Sequence, residues 1–376
     1  MERGFLQERG NRILKLLDYY IGIPLTVLIG YIVPKKSKVP RICEESPCFA
    51  LLKTAAIGDT VLLSAIVSEI RARYPDAVIT IVCTSNNRDA ASLINGVNYV
   101  HVFNLKSPIA SFMELRKISK QDVVLDFAPW ARINSLISFF IRGRFKVGFK
   151  RKSQYRHYLY DKAVDHLDDL HELDNYRNLL KATEIEPRGI NPIIRPGDGA
   201  IKINASQMII LHPFPAGSGK NLKEWPLERW FELGCELSTN GFEVAISGGK
   251  DDVDRAQMLV DRILQAGGKT VLLAGQYSLA EFCDVLRQAE ILVSVNTGIM
   301  HLGAALNIPL VALHGPTSPK RWGPLGKDTR VIVPTKPCAP CISLGFEYKC
   351  VEGGCMHTIS VEKVKKAVYE LLNRQK

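Results

Sequence analysis

Short, nearly unbroken apolar runs alternate along this chain with longer stretches in which apolar residues recur every three or four positions. That pattern predicts buried parallel strands joined by helices. In the first half the predicted strands are Phe49–Lys53, Val78–Val82, Tyr99–Phe103 and Val123–Asp126. Helices are predicted near Asp89–Ile94, Ile109–Ile118, Arg132–Ile141 and His171–Thr183. In the second half the strands are Met208–Leu211, Phe242–Ser247, Val271–Leu273, Ile291–Val295 and Pro309–Leu313. Helices are predicted over Leu227–Leu237, near Leu279–Gln288, after Gly298, and as an amphipathic ending from Ser360 to Leu372. Between the halves, Pro187, Pro192 and Pro196 alternate with Gly189, Gly197 and Gly199, the composition of a linker. The expected architecture is α/β, with two Rossmann-like doubly wound domains facing each other across a cleft. The expected boundaries are a basic and apolar segment 1–46, a first domain 47–186, a linker 187–205 and a second domain 206–376.

Candidate chemistry gathers where strands end, because open α/β sheets bind ligands at the carboxyl ends of their strands. The stretch Val293–Leu306 reads strand, turn at Asn296-Thr297-Gly298, then helix, and a helix start offers free N–H groups to a phosphate. Lys53–Ile66 repeats the form, with Gly58 at the turn and Asp59 behind it. Asp59 is either a helix N-cap or a carboxylate presented for general-base work. His212–Pro226 is rich in Gly, Ser and Lys, as a phosphate cradle is, but it lacks the ending of a Walker loop. Asp252 follows a strand where an acidic residue binds a ribose diol, although a solvent-facing helix-start aspartate is the commoner case. No Gly-x-Gly-x-x-Gly follows a strand, which argues against a nicotinamide dehydrogenase.

Charge changes the picture in two places. The 376 residues carry a formal charge of +11, which favours anionic partners. No nucleic-acid motif accompanies it, so nucleic acid is not expected among them. The stretch Arg142–His157 is dense in Arg and Lys, including Arg144, Lys150, Arg151 and Arg156. It reads as a solvated loop or as a clamp for a phosphorylated or carboxylated acceptor. At the start, basic residues flank the apolar run Tyr19–Val33, which is shorter than the roughly 20 residues a bilayer span needs. An interfacial membrane anchor and a helix packed on the protein's own body are the two readings. Of nine cysteines, Cys338, Cys341, Cys350 and Cys355 cluster. A zinc site is one reading of them, with free thiols or a local disulfide as the others.

Four motifs then agree in order and spacing: Lys53–Thr60 (KTAAIGDT), Lys223–Pro226 (KEWP), Val293–His301 (VSVNTGIMH) and Gly315–Pro319 (GPTSP). Gly148–Tyr160 and His171–Leu180 fit less sharply. Together they resemble glycosyltransferase family 9, the bacterial lipopolysaccharide heptosyltransferases, over roughly residues 47–370. The resemblance implies a GT-B arrangement and an inverting, metal-independent sugar transfer, most commonly from ADP-heptose, with no cofactor required. It implies Asp59 as the base and Lys223 on the leaving diphosphate. Ser218, Asp252, Asn296, Thr297, Gly298 and His301 would bind the donor, His301 having a packed role as its alternative. Arg144, Lys150, Arg151 and Arg156 would meet an anionic glycolipid acceptor at the cytoplasmic face of the inner membrane, where the protein would be peripheral. Asn296 departs from the family, whose members usually carry Asp there. That departure motivates two other readings, a different nucleotide-sugar donor and a non-catalytic nucleotide-binding relative. An epimerase of the same architecture would need a second acid/base residue, for which His212 and His301 are the candidates.

Overall fold

The structure is a computed structural model that describes residues 16, 18–42, 44–195, 199–203, 207–217, 219–344, 350 and 354–374. The chain divides into two compact units at Ile194/Arg195.

In the N-terminal unit a π-helical turn, Asp18–Gly22, leads into α1 (Ile23–Ile32). Six parallel strands follow: β1 (Cys48–Leu52), β2 (Val78–Cys83), β3 (Tyr99–Val102), β4 (Gln121–Asp126), β5 (Gly143–Lys150) and β6 (Lys162–Asp165). Their order across the sheet is β3-β2-β1-β4-β5-β6. The linking helices are α2 (Ile57–Arg73), α3 (Arg88–Ser92), α4 (Pro108–Leu115), α5 (Arg132–Phe140) and α6 (Glu172–Lys181). The central strands are built on nearly continuous apolar runs, as strands covered on both faces are. Phe49, Leu51, Ile79, Ile81, Val123 and Leu125 are all fully buried.

The C-terminal unit repeats the plan. Its strands are β7 (Met208–His212), β8 (Glu243–Ile246), β9 (Thr270–Leu272), β10 (Ala289–Val295), β11 (Leu310–Leu313) and β12 (Thr329–Ile332). Their order is β12-β11-β10-β7-β8-β9, so both sheets follow the doubly wound order 3-2-1-4-5-6. The helices are α7 (Lys220–Lys223), α8 (Leu227–Thr239), α9 (Val253–Gln265), α10 (Leu279–Leu286), α11 (Gly298–Ala305), α12 (Pro319–Trp322) and α13 (Val361–Leu372). Trp225 and Trp230 stack edge to face at 4.9 Å in this core, and Trp225 Nε1 donates to Ile359 O at 2.9 Å. The tryptophan of the Lys223–Pro226 motif thereby ties α8 to the chain that enters α13.

One stretch differs from the sequence expectation, and a second matches one of its two readings. Arg142–Lys150 was expected as a loop or clamp, yet it contains β5, paired with β4 from Gly143 to Gly148. The physical reason is alternation: Phe145, Val147 and Phe149 are buried, while Arg144, Lys146 and Lys150 occupy the intervening positions. The N-terminal apolar run is helical and packs on the unit's own body. Thr26 is fully buried, and Asp18 forms an ion pair with Arg132 of α5. Among the described residues no helix is long and apolar enough to cross a membrane. The basic residues expected before this run, Arg3 to Lys15, lie outside the described residues.

Candidate functional site

The doubly wound order places a switch point between β1 and β4 in the N-terminal unit, and Asp59 stands beside it. The turn after β1 delivers the chain into α2, whose N-cap is Ala56, so Asp59 is a first-turn residue and not the cap. A carboxylate there lies at the positive end of the helix dipole. Its Oδ1 is 2.6 Å from Lys53 Nζ and accepts a hydrogen bond from Tyr176 OH at 3.3 Å. Lys53 is buried, over the Tyr176 ring at 5.2 Å, and also donates to Phe127 O. Asn87 braces the turn, its Nδ2 donating to Lys53 O at 2.9 Å and to Thr60 Oγ1 at 2.8 Å. Among the described residues no partner is recorded on Asp59 Oδ2, and the side chain is 22% exposed. One oxygen is therefore fixed while the other can take a proton. The sequence reading singled out Asp59 but gave Lys53 and Tyr176 no role. Lys53 was visible six residues earlier, whereas Tyr176 comes from a distant helix.

The basic stretch separates into four different environments. Lys150 is exposed. Arg144 pairs with Asp122 at 2.9 Å. Arg151 pairs with Asp168 at 2.8 Å and touches His166 Nδ1 at 2.8 Å, while His166 Nε2 is 3.0 Å from buried Glu172. Arg156 corrects the expectation: it is fully buried, with its guanidinium on Asp126, Tyr160 OH and Ala128 O. A charge so enclosed is committed to the fold, and it cannot also clamp a surface acceptor. Tyr160 OH donates to Asp126 at 2.6 Å, and its ring lies on Gly148. A Cβ on Gly148 would sit 2.3 Å from Tyr160 Cζ, which explains a glycine inside a strand.

In the C-terminal unit the switch point lies between β7 and β10. His212 ends β7, is buried, and meets Ser247 Oγ at 2.9 Å through Nδ1. Asn296 follows β10, and its Nδ2 lies 3.2 Å from His314 Nδ1 and 3.3 Å from Nε2. Burial pushes both imidazoles down to about 4, so His212 and His314 are neutral near pH 7. Thr297 caps α11, its Oγ1 accepting from Ile299 N at 3.2 Å, and Gly298 opens the helix. His301 is buried within the same helix. Thus Asn296, Thr297 and Gly298 come together at one strand end, as the sequence suggested, and His314 joins them. His314 stood in the loop after β11 without an assigned role.

Lys223 ends α7, and its Nζ turns back to Ala216 O at 3.1 Å on the preceding loop. Ser218 lies outside the described residues. Asp252 accepts from Gly249 N at 2.9 Å, so this carboxylate caps its own turn. Gly248 is held tightly there: a Cβ would approach both Asp252 and Phe214 to 2.9 Å.

The clustered cysteines flank the Gly315–Pro319 loop. The Cys341 and Ile342 N–H groups both donate to Pro316 O. Burial pushes the Cys341 thiol up to about 11, helped by neighbouring Cys350, Cys355 and Cys338. Among the described residues no group of three or more His, Cys, Asp or Glu side chains is arranged to hold a metal ion, so the zinc reading of Cys338, Cys341, Cys350 and Cys355 finds no support. The segment between these thiols lies partly outside the described residues.

Two doubly wound units, one with a phosphate-suited helix start and the other with an oriented carboxylate, fit the glycosyltransferase class. Residues 115–352 match the model of glycosyltransferase family 9 (heptosyltransferase), and the chain belongs to that family. Asp59 lies upstream of the matched segment. The chain is 32% identical over 149 residues, 39% of each protein, to lipopolysaccharide heptosyltransferase 1 of Pseudomonas aeruginosa. It is 26% identical to lipooligosaccharide heptosyltransferase 2 of Haemophilus ducreyi over 73% of this chain and 85% of that one. The solved structure of Escherichia coli ADP-heptose lps heptosyltransferase II shares the fold, with a TM-score of 0.70 at 21% identity over 88% of this chain and 99% of that one.

Proposed function

We propose that the protein transfers a heptose from ADP-heptose, with inversion and without a metal, onto a lipopolysaccharide-core or related glycolipid acceptor. The observation that carries this reading is the Asp59 carboxylate, fixed through Oδ1 by Lys53 and Tyr176 with Oδ2 left to act. In one in-line displacement the acceptor hydroxyl oxygen bonds to the anomeric carbon as the bond from that carbon to the diphosphate breaks. The hydroxyl proton passes to Asp59 Oδ2. ADP leaves with the bonding electrons, and its growing negative charge is met by Lys223 and the N–H groups at Thr297 and Gly298. Asp252, Asn296 and His301 line the donor side in this reading, and Lys150, with Arg144 and Arg151, lies on the acceptor side. The names of the family relatives support the heptose donor, and the excess of basic residues supports an anionic acceptor at the cytoplasmic face of the inner membrane.

Asp59→Asn and Asp59→Ala test the role. Transfer from ADP-heptose is expected to fall by about 100-fold or more, within the range general-base catalysis supplies. ADP affinity should hold. Turnover retained in either variant removes Asp59 from the mechanism.

Asn296 supports a second reading, a nucleotide sugar other than ADP-heptose. Its amide nitrogen is turned toward neutral His314 and Trp322 O, an environment suited to an uncharged residue. Calorimetry with ADP-, UDP- and GDP-sugars separates the two readings.

A further inference from the structure

Helix α1 is apolar nearly all round, with its small residues toward the unit and large apolar residues exposed on the far side. Gly22, Thr26 and Gly30 recur every four residues on the side that meets the unit. Gly22 and Thr26 are buried, and a Cβ on Gly30 would lie 2.5 Å from the Tyr158 backbone oxygen. Ile21, Leu25, Leu28 and Ile32, spaced by four, three and four residues, lie on the outer side between 39% and 71% exposed, with Tyr20 and Tyr31 at 69% and 76%. A helix covering a soluble core turns its large apolar residues inward. A contiguous outward patch marks an interaction surface.

The attachment is firm. Besides the Asp18–Arg132 ion pair, Lys36 N donates to Asp161 Oδ1 at 2.8 Å, the Tyr31 and Tyr158 rings lie 5.8 Å apart, and Lys35 Nζ stands 5.4 Å over Tyr158. The apolar face is therefore presented in a fixed direction relative to the N-terminal unit.

Length and charge select the partner. The ten residues of α1 make a rod about 15 Å long, half the roughly 30 Å of a hydrocarbon core, so it fits along an interface and not across one. Tyrosines such as Tyr20 and Tyr31 favour the headgroup level. The chain leaves the helix through Lys35, Lys36, Lys38 and Arg41. A crevice of about 160 Å³ opens beside that exit, lined by Lys35, Lys36, Lys146, Tyr158, Phe139 and Asp161. A neighbouring depression shares Lys146 and adds Arg116 and Arg142. Three ammonium groups against one carboxylate leave the crevice positive. A second copy using this face about a two-fold axis would enclose two positive collars in one interface.

We propose that the outer face of α1 and its basic collar form a docking surface for an anionic phospholipid bilayer, with α1 lying in the interface and headgroup phosphates meeting Lys35, Lys38 and Arg142. This deepens the membrane placement in the proposed function and rests on it only there.

Sedimentation of the full chain with vesicles tests it, using phosphatidylcholine alone and phosphatidylcholine enriched in phosphatidylglycerol. The parent should pellet with the anionic vesicles and stay in solution with the neutral ones. Leu28→Ser with Ile32→Ser, both at exposed positions, should lower partitioning at least tenfold. Lys35→Gln with Lys38→Gln should lower it by about fivefold per lysine, and added salt should weaken the parent in the same direction. Equal binding to both vesicle types, or a serine variant that pellets like the parent, overturns the proposal. So does a parent dimer that the serine pair dissociates without any vesicle binding, which would assign the face to a second copy. ADP-heptose binding by the same preparations keeps the two readings apart. Docking without donor binding strikes the transferase reading alone, and donor binding without docking strikes this one alone.

Discussion

Lys53 and Asp59 stand on the two sides of one turn, and the lysine ammonium lies 2.6 Å from the aspartate Oδ1. The pair links the end of β1 to the start of α2. Lys53→Met would strand a carboxylate that is only partly open to water. The loss of stability should be about 2 kcal/mol, below the cost of breaking a fully buried pair because Asp59 is one-fifth exposed. Turnover should fall at least tenfold, since Asp59 loses the contact that aims its second oxygen. Thermal melting and kcat at saturating donor check both effects.

Arg156→Met should act on stability and leave acceptor recognition alone. It removes one member of a fully buried pair with Asp126, a change that costs about 3–5 kcal/mol. Arg156→Lys should recover little, because one ammonium cannot reproduce a guanidinium fork reaching Asp126, Tyr160 and Ala128. Denaturant unfolding reads the loss. A raised acceptor KM with unchanged stability would show that the guanidinium reaches substrate after all.

Stability should depend on pH through the buried imidazoles. His212 and His314 have folded-state values near 4, below the 6.5 of an exposed histidine. The unfolded chain therefore binds protons first as pH falls. The stabilising contribution is complete above about pH 6.5 and is lost progressively toward pH 4, at up to about 1.4 kcal/mol per pH unit for each residue. Denaturant midpoints measured from pH 7 to 4 on the parent and on His314→Gln should show a shallower slope in the variant. Identical slopes would mean that His314 does not contribute.

Asn296→Asp places a carboxylate beside His314, 3.2 Å from its ring nitrogen by the present geometry. An adjacent negative charge favours the protonated imidazole, so the His314 titration should move upward by about a unit or more. Nuclear magnetic resonance of the ring follows this directly. Calorimetry on the same variant reports whether affinity for ADP-heptose rises with the added charge.

The sequence revealed the two halves well because their central strands are apolar runs closed by turn residues. Asp59 and the Asn296–Gly298 turn were visible for the same reason: each stands where an apolar strand gives way to a helix. Charge concealed β5, since Arg144, Lys146 and Lys150 drew attention from the alternating Phe145, Val147 and Phe149. Burial concealed Arg156, because nothing local marks which arginine of a basic run is enclosed by Asp126, a strand end thirty residues earlier. Tyr176 and His314 reach their partners only through tertiary packing, which periodicity does not encode. The short strands β6 and β12 carry too few apolar residues to stand out.

The contact between Gly148 and the Tyr160 ring has a bearing on descent. Neither position can drift alone: a side chain at 148 demands a smaller group at 160, and a smaller group at 160 leaves Asp126 and Arg156 short of a hydroxyl. The four residues should therefore be inherited as a block. In lineages where one has been replaced, compensating replacements should be found at the others.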